Sequence, residues 1–201
     1  MSQSLKPLLH ITLHMNSLAF SRVGIIHGTS GSGATHWQRW LECKCIQSGV
    51  ETLFPKLPGR FGDPKLSAWL EALSRELPVI DRTTALIAHS MGCATVLQLL
   101  QSDSIHEVGL VVLVSPSSPS RIPRQLSHFY DGFDPVLVAM KILRSAVFAS
   151  DNDVLVNPDT AATLARDLHG SFNLISGGGH LSVSSGFHKF PEVLRLLESR
   201  S

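Results

Sequence analysis

The chain is poor in the residues that mark several common classes of protein. Of its 201 residues three are cysteine and one is tyrosine, aromatic side chains make up 6% and charged ones 16%. Cys43 and Cys45 stand too close together to bridge comfortably, which leaves no disulfide framework and points to a reducing, cytoplasmic setting. Seventeen basic residues stand against sixteen acidic ones, for a net charge of +1. Their scatter gives no basic footprint, so a nucleic-acid partner is not expected. No apolar run reaches the roughly 18 residues of a membrane span, so a soluble chain without a membrane partner is expected. Repeats and low-complexity tracts are missing too. What remains, a chain 43% hydrophobic, is long enough for one well-packed core and short for two.

Residues 1–20 read as an N-terminal extension, poorly ordered and without chemistry, ahead of a single domain over 21–201. Leu8-Leu9-His10-Ile11-Thr12-Leu13 follows a lone Lys6, but histidines interrupt the apolar stretch and no small-residue cleavage site follows. From Val23 onward, apolar runs alternate with amphipathic segments. The strand candidates are 23–27, 50–54, 84–89, 108–115, 146–150 and 172–176. The helix candidates are 35–43, 66–77, 91–100, 159–169 and 191–199. This alternation predicts an α/β fold, a mostly parallel six-stranded sheet with helices on both faces and no cap domain. Ligands of such sheets lie beyond the carboxyl ends of the strands. The stretch from Ser115 to Lys141 is the least readable, and it is expected to form at most a small lip.

Three strand ends carry reactive residues. Ala88-His89-Ser90-Met91-Gly92 joins a strand to a helix with small residues two before and two after a serine. That spacing suits a nucleophile elbow, where strand and helix approach closely and the hydroxyl stands exposed. A serine nucleophile needs a base and an acid that orients it. Gly177-Gly178-Gly179-His180 follows the last strand, so His180 is the expected base, while His169 and His188 read as surface or capping residues. Asp151 and Asp153 both follow the fifth strand. Asp153, preceding Val154-Leu155-Val156, is favoured as the acid and Asp151 as the turn-former. A calcium loop is not expected, because Val156 stands where glycine is required. The oxyanion donors are expected to be the N–H groups of Met91 and, from the loop after the first strand, Thr29. Gly28 to Gly33 mimics a phosphate cradle, but Ala34 and Thr35 replace the Lys and Ser/Thr of a P-loop, and His36 stands where a dinucleotide fingerprint needs a small residue.

On these residues the chain resembles the alpha/beta-hydrolase superfamily, and within it the small lidless serine hydrolases related to retinoblastoma-binding protein 9. Gly31-Ser32-Gly33-Ala34-Thr35-His36-Trp37-Gln38 is similar to that family's first loop and helix, and Phe54-Pro55 with Trp69 to its second strand and helix. The resemblance implies a Ser90, Asp153, His180 triad. The chain departs from the family pattern at His27 (often Pro), Ala88 (often Gly) and Val154 (often Pro). His36, Trp37 and Trp40 could pack the core or line the pocket.

The expected activity is hydrolysis of a small carboxylic ester or related acyl substrate through an acyl-enzyme, with no metal or organic cofactor. Peptidase, thioesterase and acyltransferase are the alternatives within the enzyme class. A protein-interaction module with an idle triad is the alternative outside it.

Overall fold

The computed structural model describes residues 18–59 and 63–199. Six parallel strands form one sheet in the order β2-β1-β3-β4-β5-β6. They are β1 (Arg22–Ile26), β2 (Glu51–Leu53), β3 (Thr84–His89), β4 (Leu110–Val114), β5 (Ser145–Ser150) and β6 (Ser171–Ile175). The helices are α1 (Trp37–Gln47), α2 (Leu66–Glu76), α3 (Met91–Leu99), α4 (Pro135–Ala139), α5 (Pro158–Asp167) and α6 (Pro191–Glu198). Between β4 and α4 the chain makes two 3-10 turns, at Pro119–Arg121 and Arg124–Tyr130.

Alternation along the strands splits the core in two. Val23 and Ile25 of β1 and Ala85 and Ile87 of β3 face α1 and α6, packing with Trp37, Leu41, Val193 and Leu197. Ile26, Leu86 and Ala88 face the other way, toward Trp69, Leu73, Val96 and Ala161 of α2, α3 and α5. Every residue of β3 and β4 is buried, as expected of central strands covered on both faces. Leu18 and Phe20 are each only 8% exposed and belong to the first of these layers, and the Ala19 N–H bonds the Leu197 carbonyl. The packed chain therefore reaches back at least to Leu18; residues 1–17 of the expected extension lie outside the described residues.

The chain runs outward from β1 to β2, then returns to lay β3 on the other side of β1. This reversal opens a crevice between the carboxyl ends of β1 and β3, the switch point where doubly wound sheets bind ligands. Gly28 follows β1 and Ser90 follows β3, so both expected loops meet there.

Candidate active site

Ser90 takes φ 56° and ψ −129° between β3 and α3, a conformation that side chains adopt only when the surroundings enforce it. Its N–H donates to the Val114 carbonyl at 3.0 Å, tying the elbow to the end of β4. Close packing explains the flanking small residues. A Cβ on Gly92 would lie 2.7 Å from the His27 carbonyl oxygen and 2.8 Å from that of Ile26, and a Cβ on Gly28 would lie 2.7 Å from the Ser90 Cβ. Ala88 is fully buried within β3.

The hydroxyl of Ser90 donates to His180 Nε2 at 3.0 Å, and His180 Nδ1 donates to Asp153 Oδ2 at 2.7 Å. Asp153 has a fully buried side chain whose other oxygen accepts the Leu155 N–H at 2.9 Å. The Arg121 guanidinium clamps its loop from outside, donating to the carbonyls of Asp153 and Val156 at 3.0 and 2.8 Å. Asp151 does something different. Exposed to solvent, it accepts from the Gly177 N–H and the Ser176 hydroxyl, both at 2.8 Å, and these bonds hold its carboxyl below the usual carboxylate range. It joins the β5 and β6 loops and so positions the Gly177–Gly179 turn that carries His180. Asn152 helps, accepting the Gly179 N–H at 2.7 Å.

The pocket over Ser90 is bounded by Thr29, Ser30, Gly31, His36, His180 and Leu155, among others, and has a volume of about 390 Å³. Thr29, the expected second oxyanion donor, thus lies on the pocket wall, while Met91 begins α3 directly after Ser90. Trp37 and His36 divide between the two roles left open for them. Trp37 is fully buried, with its Nε1–H on the Leu181 carbonyl at 2.9 Å, so it packs the core and holds the loop just beyond His180. His36 lines the pocket and caps α1, its Nδ1 accepting the Gln38 N–H. Trp40 is half-buried against the same core layer. His169 and His188 are exposed. The former follows α5 at φ 53°, and the latter bonds the Thr35 carbonyl at 3.0 Å.

Three residues near Ser90 are not among those the sequence singles out. The Ser117 hydroxyl sits 3.3 Å from that of Ser90, and Tyr130 donates to the Ser117 carbonyl. Nothing local marks either, because the 116–130 segment is brought over α3 by tertiary contacts. His89 did carry a signal, its place beside the serine. Its Nε2–H donates to the His180 carbonyl at 3.0 Å, and its ring lies 5.0 Å from that of His180 and 5.2 Å from that of His36. Burial holds His89 well below its ordinary pKa and lowers His36 to about 4, so both are neutral at pH 7. Neither ring therefore adds a positive charge beside His180 at that pH.

Comparison with known proteins bears on the family and the fold. YdeN of Bacillus subtilis, a protein named only as a hydrolase, is 31% identical over 181 residues, spanning 89% of this chain and 95% of its own. Its crystal structure superposes with a TM-score of 0.79, covering 88% of this chain and 96% of that one. A YdeN-like hydrolase from Pectobacterium atrosepticum, 22% identical, gives 0.71 with 88% of each chain covered. Carboxylesterase CesB from Bacillus subtilis, at 13% identity and 0.58, covers 88% of this chain and 81% of its own and shares the fold. These neighbours make the fold that of the alpha/beta-hydrolase superfamily. A model of the serine hydrolase family matches residues 23–199, nearly the whole described chain, and the protein belongs to that family.

Proposed function

We propose that this serine hydrolase cleaves small carboxylic esters, with Ser90 as nucleophile, His180 as general base and acid, and Asp153 as the carboxylate that orients the imidazole. The observation that carries this reading is the unbroken relay from Asp153 Oδ2 through both His180 nitrogens to the Ser90 hydroxyl, with contacts of 2.7 and 3.0 Å. His180 takes the Ser90 proton as the oxygen attacks the ester carbonyl, and Asp153 stabilises the resulting imidazolium. The Met91 N–H at the start of α3, together with the Thr29 N–H, receives the oxyanion. Collapse of the tetrahedral intermediate breaks the C–O bond, and His180 returns the proton to the leaving alcohol. Water, deprotonated by His180, then attacks the acyl-enzyme, releasing the acid and restoring the Ser90 hydroxyl. The carboxylesterase CesB, which shares the fold, supports an ester as the first substrate class to try.

The test uses short p-nitrophenyl esters and a fluorophosphonate probe. Ser90→Ala should abolish both turnover and labelling, and labelling that persists would remove Ser90 from the role. Asp153→Asn should lower kcat by about 10⁴-fold, the size of effect expected when the orienting carboxylate of a triad is neutralised. Asp151→Asn should leave kcat within about tenfold of the parent, because that side chain acts on His180 only through a loop. The reverse order would move the acid to Asp151.

A further inference from the structure

A second cavity, of about 200 Å³, lies under the segment that follows β4. Ala94 and Leu97 of α3 form one side, Leu164 of α5 another, and Phe129, Tyr130 and Phe133 cover it. The rim carries Gln98, Thr160, Thr163 and the exposed Asp167, while the interior is almost wholly hydrocarbon and aromatic. Gln98 fastens the cover, donating to the carbonyls of Phe129 and Asp131 at 3.1 and 2.9 Å. The cavity also borders the nucleophile. Ser117 belongs to its lining and touches the Ser90 hydroxyl at 3.3 Å, and Tyr130 spans the same partition, its hydroxyl reaching the Ser117 carbonyl and lying 3.9 Å from Met91 Sδ.

We infer that this cavity is the acyl-chain subsite of the Ser90 centre and takes a saturated, unbranched chain of about six to eight carbons, since apolar voids of about 150 Å³ hold six-carbon guests and stay dry otherwise. The inference rests on Ser90 being the nucleophile. With the acyl carbonyl at Ser90 the chain enters by displacing the Ser117 hydroxyl from that of Ser90, and it then lies along α3, against Ala94 and Leu97. The polar groups it would meet there, the Ser117 and Tyr130 hydroxyls, are already hydrogen-bonded. Each methylene placed there leaves water, and this favours longer chains until the cavity is full.

The experiment compares kcat/KM for p-nitrophenyl octanoate and acetate in the parent, in Leu97→Trp, which fills the cavity, and in Phe133→Ala, which widens it at a half-buried wall. The octanoate to acetate ratio should exceed about ten in the parent and fall about tenfold or more in Leu97→Trp, since several buried methylenes are at stake. Phe133→Ala should move the optimum toward decanoate. A ratio that neither variant moves overturns the subsite, even if short esters turn over normally. Calorimetric titration of octanoate into Ser90→Ala, with acetate as control, separates this inference from the ester reading. Octanoate should bind, and should stop binding when Leu97→Trp is added. Failure to bind overturns the subsite. Binding without ester turnover in the parent upholds it and overturns the ester reading instead.

Discussion

Acidification offers the sharpest quantitative check on the pocket wall. His36 is 5% exposed, stacks against Trp37 and His89, and spends its Nδ1 lone pair on the Gln38 N–H that starts α1. Protonating that nitrogen would replace the cap bond with two N–H groups facing each other. Burial is the largest cause of its lowered pKa, followed by the nearby His180, and together with further cationic neighbours they bring it from 6.5 to about 4. The unfolded chain therefore binds this proton more readily than the folded one. Stability falls as pH drops below 6.5, and the loss is complete only below about 4. At pH 5 His36 alone should cost about 2 kcal/mol relative to neutral pH. His89, pushed in the same direction by burial, adds to the loss in the parent.

The assay is urea unfolding from pH 7.5 to 5 on the parent and on His36→Asn. Asparagine caps helices well, so the Gln38 N–H keeps an acceptor that does not titrate. The absolute stability of the variant carries no information here, because ring contacts are also lost. The pH dependence does. His36→Asn should lose about 2 kcal/mol less than the parent over this range, with an unchanged m value. An identical fall in both proteins would refute the argument that His36 is held neutral by its place in the fold.

Two further substitutions probe the elbow. Gly92→Ala should force α3 away from the end of β1, because the new Cβ meets two carbonyl oxygens rather than a movable side chain. The expected cost is about 1–3 kcal/mol, read as a fall in Tm of about 2–4 °C per kcal/mol, and an unchanged Tm would contradict the packing. Ser117→Ala removes the hydroxyl beside that of Ser90 and should lower kcat by about two- to tenfold, the worth of one net hydrogen bond. A change confined to KM would mean that the hydroxyl serves only the binding of substrate.

The parts of the fold that could be read from sequence were those set by local pattern. The apolar runs mark all six strands in their order along the chain. The four inner ones, β1, β3, β4 and β5, are covered on both faces and need such runs, while the edge strands β2 and β6 are partly exposed. Ends were harder. Helix α1 is expected over 35–43 but runs Trp37–Gln47: His36 caps it, and its buried stripe of Trp37 and Leu41 continues to Cys45. The acid shows the same limit at the site. Asp151 and Asp153 both follow β5, and no local pattern separates them. In the structure the buried Asp153 side chain meets the partly exposed His180 imidazole, and Asp151 faces solvent and the Gly177 turn. The segment after β4 has no local signature because Gln98 and Arg121 fix its shape by bonds to groups 31 and 32 residues away in sequence.

Backbone strain gathers around the Ser90, His180 and Asp153 side chains. Four non-glycine residues among those described have positive φ, and three of them surround the relay: Ser90 at 56°, Ser115 at 46° and Leu181 at 45°. Such conformations cost on the order of 1–3 kcal/mol each and persist only when neighbours fix them. Here the fixing groups come from the sheet and the core. Ser90 N–H is held by Val114, Ser115 N–H by Phe148 at 2.8 Å, and the Leu181 carbonyl by the buried Trp37 indole. Relaxing any one would turn a side chain of the site away from the others. The strain is therefore supported by the central strands β3, β4 and β5 and by the buried face of α1. This is how loops that would otherwise wander hold the Ser90 hydroxyl, the His180 imidazole and the Asp153 carboxylate within hydrogen-bonding distance of one another.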